Sequence, residues 1–189
     1  LYGDAETFTG SAVVAGHDRF TITTMEGGVV YGDANRVDNS ATMGNDSFTI
    51  TTLKGGVIYG DVAEASGNAV TFAADSFTID TMEGGKVYGD VGTVTGAGYT
   101  CGNDTFTVNK FMSGGSLVGD VSVLDPNSDV VLGNDSFTLT AGLHGTAKVY
   151  GDAETINGNN MAVTGGALSG FGNDSFTINR TGATGGTAG

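Results

Sequence analysis

The sequence predicts an all-β protein built as a parallel β-solenoid of about six coils. Three observations predict it. A Tyr-Gly-Asp landmark recurs with its glycine at Gly3, Gly32, Gly60, Gly89, Gly119 and Gly151, in steps of 29, 28, 29, 30 and 32 residues by subtraction. A second landmark, Gly-Asn-Asp-Ser-Phe-Thr-Ile at 44–50, keeps pace with it through Asp18, Asp46, Asp75, Asp104, Asp135 and Asp174. Units that recur this closely bury their apolar residues only by stacking on the next copy. Finally, 34 of the 189 residues are glycine and no long stretch of helix formers repeats at the helical period, which leaves strands and turns to carry the fold. No composition shift marks a second domain, so residues 1–180 are read as the solenoid and the Thr/Gly-rich 181–189 as a flexible tail.

The first strand of each coil follows Gly-Asn-Asp, where Phe20/Ile22, Phe48/Ile50, Phe77/Ile79, Phe106/Val108, Phe137/Leu139 and Phe176/Ile178 alternate with polar residues. Alternation turns these pairs inward and leaves Thr21, Thr49, Thr78, Thr107, Thr138 and Thr177 as an outer column. A second strand runs into Tyr-Gly-Asp, with Val30, Ile58, Val87, Leu117 and Val149 inward and Tyr31, Tyr59, Tyr88 and Tyr150 outward, a ring ladder broken at Val118. A third precedes Gly-Asn-Asp, where Val13/Ala15, Ala41/Met43, Val70/Phe72, Tyr99/Cys101 and Val130/Leu132 share the inward phase. Four residues after each Tyr-Gly-Asp aspartate stands an apolar residue out of that phase, from Phe8 and Val37 to Ile156, and it is read as a corner. Three strands and three corners predict a three-sided β-helix, with a two-sheet β-roll as the alternative. The stretch 156–172 is read as a loop inserted into the last coil. Cys101 is the only cysteine, so an internal disulfide is excluded and the thiol is read as a small buried hydrophobe.

Charge points to the partner. The chain carries 21 acidic against 7 basic residues, a net charge of −14, which argues against nucleic acid and for cations. No apolar run approaches the ~20 residues of a membrane helix, so no membrane span is expected. Stacking near-identical coils sets Asp18, Asp46, Asp75, Asp104, Asp135 and Asp174 in one column and the Tyr-Gly-Asp aspartates Asp33, Asp61, Asp90, Asp120 and Asp152 in another. Neighbouring carboxylates ~5 Å apart repel by roughly 3 kcal/mol at an effective dielectric of 20. The few Lys and Arg cannot neutralise both columns. A hard divalent cation between coils takes carboxylate oxygens from two of them and carbonyls from the glycine turn. The competing reading is a metal-free turn, in which aspartate accepts backbone N–H groups and Asn45, Asn103, Asn134 and Asn173 form an amide ladder. That turn reading takes precedence for the Tyr-Gly-Asp column.

Gly-Asn-Asp-Ser-Phe resembles the G-x-D-x-apolar half of the RTX, or hemolysin-type, calcium-binding nonapeptide, and Tyr-Gly-Asp resembles its opening half. The two halves are contiguous in that family and stand about ten residues apart here, in a longer coil of about 29 residues. The resemblance implies calcium (Ca2+) in the turns between coils and a bacterial, exported protein whose folding is coupled to calcium outside the cell. It carries the ligand role over to Asp18, Asp46, Asp75, Asp104, Asp135 and Asp174.

Three function classes follow. The first is a calcium-binding structural or adhesive repeat segment of a large secreted or cell-surface protein, its partners being calcium ions, neighbouring repeats of the same protein, and a surface or carbohydrate. The start at Leu1, in mid-repeat, is read as a cut from a longer array. A metal-free stalk is its alternative. The second class is an ice- or surface-binding solenoid using the threonine ladder, although Arg19, Asp80, Asn109 and Asn179 interrupt the outer ranks. The third, an enzyme, is disfavoured: each acidic site is copied along the rod, and His17 and His144 have no copies.

Overall fold

The computed structural model describes residues 1–66, 68–124, 129–156 and 172–179. These residues form 22 strands and no helix, and the strands lie in four parallel sheets. Face I holds Arg19–Met25, Ser47–Leu53, Ser76–Met82, Thr105–Met112, Ser136–Leu139 and Ser175–Ile178. Face II, which runs into Tyr-Gly-Asp, holds Val29–Tyr31, Val57–Tyr59, Lys86–Tyr88, Ser116–Val118 and Lys148–Tyr150. Face III follows Tyr-Gly-Asp through Ala5–Phe8, Ala34–Val37, Val62–Ala65, Val91–Val94, Val121–Leu124 and Ala153–Ile156. Face IV precedes Gly-Asn-Asp as Val13–Val14, Ala41–Thr42, Val70–Thr71, Ala97–Thr100 and Asp129–Val131. The β-solenoid is as the repeats require, but it has four faces where three were expected. The stretch read as a corner is Face III: Ala34 and Val37 are both fully buried with two residues between them, so a short curved strand hides behind a broken alternation. All but the two end residues of the loop expected at 156–172, and the whole tail expected at 181–189, lie outside the described residues.

Identical side chains meet along every sheet because the register follows the repeat. Phe48 pairs with Phe77, Thr49 with Thr78 and Ile50 with Ile79, and Phe106 pairs with Phe137. The six phenylalanines of Face I stack with ring centroids 4.8, 4.8, 4.8, 4.7 and 4.9 Å apart, which is the spacing of hydrogen-bonded strands. The threonine column is exposed to half-exposed on the outside of the same face. Face I then bends. Its buried residues run Phe48, Ile50, Leu53, an odd step that wraps the strand end over the core, and a glycine pair at 55–56 turns the chain with Gly56 at φ +91°.

Two apolar lobes result. Faces I and II enclose one, in which Phe48, Ile50, Leu53 and Ile58 repeat coil by coil. Faces III and IV enclose the other, built from Ala34, Val37, Ala41 and Met43 and their copies. The tyrosines of Face II stack at 5.0, 5.7 and 5.3 Å from Tyr2 through Tyr31 and Tyr59 to Tyr88. They do not face solvent freely as expected: Tyr31 and Tyr59 are half-buried and Tyr88 is buried. The rings lie across the adjoining strand, where Tyr59 packs so closely on Gly92 that a Cβ there would approach Cε1 to 2.9 Å. Val118 breaks the ladder, and Glu154 crosses the gap to accept from Tyr88 Oη at 2.8 Å and Lys86 Nζ at 2.7 Å. Among the described residues no helix is long and apolar enough to cross a membrane.

Candidate metal centre

Tyr-Gly-Asp links Face II to Face III and Gly-Asn-Asp links Face IV to Face I. The two turns meet at a waist between the lobes. Asp33 Oδ2 accepts the Gly44 N–H at 3.0 Å, Asp61 Oδ2 that of Ala73 at 3.0 Å, Asp120 Oδ1 that of Gly133 at 2.9 Å and Asp152 Oδ1 that of Gly172 at 2.7 Å. Each Tyr-Gly-Asp carboxylate thus caps the opposite turn. The Gly-Asn-Asp carboxylates tie coil to coil: Asp46 Oδ1 accepts from Asp18 N at 2.6 Å, Asp75 Oδ1 from Asp46 N at 2.6 Å, and Asp104 and Asp135 continue at 2.7 Å. The turn reading therefore holds for one oxygen of Asp33, Asp61, Asp120 and Asp152 in one column and of Asp46, Asp75, Asp104 and Asp135 in the other. The amide ladder also forms in part, with Asn134 Nδ2 donating to Asn103 Oδ1 at 3.1 Å and Asn173 Nδ2 to Asn134 Oδ1 at 3.4 Å, each oxygen also accepting the backbone N–H of the same residue.

The second oxygens have no such use. Oδ2 of Asp18, Asp46, Asp75, Asp104, Asp120 and Asp135, and Oδ1 of Asp33 and Asp61, are buried without a hydrogen-bond partner. In the middle coils burial is essentially complete: Asp33, Asp61, Asp90 and Asp120 are 0% exposed, and Asp46, Asp75, Asp104 and Asp135 are 1–2%. A buried charge without compensation costs several kcal/mol, and here the charges converge. The glycine of Tyr-Gly-Asp shows how tightly: a Cβ on Gly32 would overlap both Asp46 Oδ2 and the Gly60 carbonyl oxygen, and one on Gly60 would overlap Asp75 Oδ2 and the Gly89 carbonyl. A carboxylate oxygen and a carbonyl oxygen point at the same place, and neither is a donor.

All eleven sequence-predicted aspartates take their places in these two columns, which interleave into one file along the rod. Asp152 and Asp174, in the last coil, are only partly buried because no further described coil covers them. Three oxygen-only clusters have ligand atoms mutually within 4.8 Å: Asp4 with Asp18 and Asp33; Asp33 with Asp46 and Asp61; and Asp104 with Asp120 and Asp135. Oxygens bound to one calcium lie at most about 5 Å apart, twice its 2.3–2.6 Å bond, so the residues fit that ion. Asp4, the first Tyr-Gly-Asp aspartate, is outside the predicted set and joins the first cluster. Its place in the repeat is the signal that identifies it.

Burial governs the protonation of these groups. It raises the Asp33 carboxyl to about 7, against the hydrogen bond from Gly44, and the Asp46 carboxyl to about 8, with Asp33 and Asp18 adding repulsion. Asp135 rises to about 7 for the same reason, and Asp61, Asp75, Asp90, Asp104 and Asp120 are pushed well above the ordinary carboxylate range, by burial first and neighbouring aspartates second. Burial and mutual repulsion therefore favour the neutral, protonated form of these carboxyls. Cys101 is buried as expected, but the sequence did not reveal that it borders this file beside Asp90 and Asp120. Burial and the Asp90 carboxylate push its thiol upward. His17 stands in the turn beside Asp18, its Nδ1 accepting the Asn45 N–H at 2.6 Å, and both it and His144 are exposed. Comparison with protein-family models, curated proteins and solved structures finds no match to this chain.

Proposed function

We propose that this chain is a calcium-binding structural or adhesive solenoid segment of a large secreted or cell-surface bacterial protein, in which Ca2+ between coils neutralises the waist and drives folding. One observation carries the reading. Asp33, Asp46, Asp61, Asp75, Asp104, Asp120 and Asp135 each use one oxygen to accept a backbone N–H and leave the other buried without a hydrogen-bond partner. An asparagine would meet both demands without charge, accepting with its oxygen and donating with its amide. A column of aspartates at such positions makes sense if charge is used. The oxygen-only donor set suits a hard cation with several ligands, and sites of weak affinity, ~10⁻⁴–10⁻³ M, suit extracellular calcium. Coupling follows, since without cations the acidic chain resists bringing its carboxylates together.

The rival with a specific observation behind it is the metal-free stalk, in which the raised carboxyls hold protons. Calcium titration of the chelator-stripped chain distinguishes them. Calcium-dependent gain of strand signal and a higher melting temperature at neutral pH are expected; an unchanged melting curve would leave the stalk. An ice- or surface-binding use of the exposed threonine column is tested separately by thermal hysteresis.

A further inference from the structure

We infer that the coil containing Cys101 holds a site for a softer divalent cation of the zinc or cadmium class, set within the file of oxygen sites. The inference rests on the waist being cation-binding, and it concerns which cation one position selects.

Cys101 occupies the place that Ala15, Met43, Phe72 and Leu132 take in other coils, the last inward residue before Gly-Asn-Asp. A hydrophobe suffices there elsewhere. In this coil Sγ and carboxylate oxygens of Asp90 and Asp120 all lie within 4.8 Å of one another. The three residues are buried, at 7%, 0% and 0% exposure. Asp120 Oδ2 is enclosed with no hydrogen-bond partner, while the Gly102 N–H is shared between the two oxygens of Asp90 at 3.2 and 3.1 Å. Burial, a carboxylate with an unpartnered oxygen and a sulfur thus come together in one cluster.

Ligand softness then decides the ion. Oxygen-only clusters suit calcium or magnesium, whereas a thiolate with carboxylates suits zinc and its heavier congener. Binding breaks the S–H bond, forms a metal–sulfur bond and releases the proton to solvent. Neither oxidant nor reductant is needed. The other three clusters contain no sulfur, so one such ion per chain is expected.

The test uses the whole chain, stripped by chelation, resupplied with excess calcium and titrated with Cd2+ as probe. A thiolate-to-cadmium charge-transfer absorption is expected to rise to a plateau at about one equivalent and to be displaced by Zn2+. Cys101→Val, which fills the same apolar space, should lose the band while binding as much calcium as the parent. Asp120→Asn keeps the thiol and should weaken cadmium binding by about tenfold or more if the carboxylate is a ligand. Absence of the band in the folded parent overturns the inference, as does a band unaffected by Asp120→Asn, which would report a bare thiol. Calcium uptake without the band rejects this site alone; the band without calcium uptake rejects the calcium reading and leaves this site standing.

Discussion

A hydrogen atom in place of a side chain on each Tyr-Gly-Asp glycine is what allows the two turns of a coil to touch. At Gly60 any side chain collides with a carbonyl and a carboxylate oxygen, and both belong to backbone or to a buried, packed residue. Gly60→Ala is expected to destabilise the protein by more than about 4 kcal/mol in urea unfolding, the range reserved for overpacked or broken cores. Gly27→Ala, where a Cβ would meet nothing within 4 Å, should change stability by less than about 0.5 kcal/mol. Asp75 presents a different case, because its hydrogen bond needs only the shape of the side chain whereas the calcium reading needs its charge. Asp75→Asn keeps the acceptor for Asp46 N–H and removes repulsion from Asp104 and Asp46. The calcium reading predicts a higher melting temperature than the parent without calcium and a smaller rise on adding it. A variant that gains as much from calcium as the parent would remove Asp75 from the ligand set.

Strands were legible to the extent that their apolar residues alternate. Faces I, II and IV keep a two-residue period, so Phe48/Ile50, Ile58 and Ala41/Met43 could be placed inward from sequence alone. Face III could not, because Ala34 and Val37 are separated by an odd step as the short strand curves around its lobe. The extra buried position at Met25, Leu53, Met82 and Met112 was hidden by the same irregularity at the end of Face I. Ladders make the contribution of each strand depend on its place in the stack. Phe77 lies between Phe48 and Phe106 at 4.8 Å from each and is 1% exposed, so Phe77→Ala should cost about 3–5 kcal/mol. Among the described residues Phe176 stacks on one ring, that of Phe137, and it is 48% exposed, so its replacement should cost less than half as much, as compared by denaturant midpoint.

Over the whole molecule the buried file ties stability to pH and, on the calcium reading, to cations as well. Asp33, Asp46 and Asp135, with folded carboxyls near 7, 8 and 7, start from an ordinary value of 3.8. Between those values the folded chain retains protons that the unfolded chain has released. Without divalent ions, stability is therefore greatest near or below about pH 4 and declines as pH rises toward about 8, by about 1.4 kcal/mol per pH unit for each such proton. Saturating calcium should abolish the decline, since the cation replaces the protons. Unfolding curves across that pH range, with calcium and with a chelator, check this directly. A flat metal-free profile would mean that the waist carboxylates are solvated, and the premise of cation binding would fail.

By itself the sequence determined that the chain is a stack. Twelve landmarks in fixed alternation, and apolar residues too few in any one unit to close a core, leave no other way to bury them. It also determined which residues stand in columns, since equal spacing becomes vertical register once strands pair in parallel. Only the tertiary structure decided that the two aspartate columns are one. Asp33 and Asp46 are thirteen residues apart along the chain, and the spacing within a column says nothing about what lies across the coil. The pinching of each coil into two apolar lobes brings the turns together, takes the carboxyl groups out of water and turns two rows of turn residues into a carboxyl-lined interior.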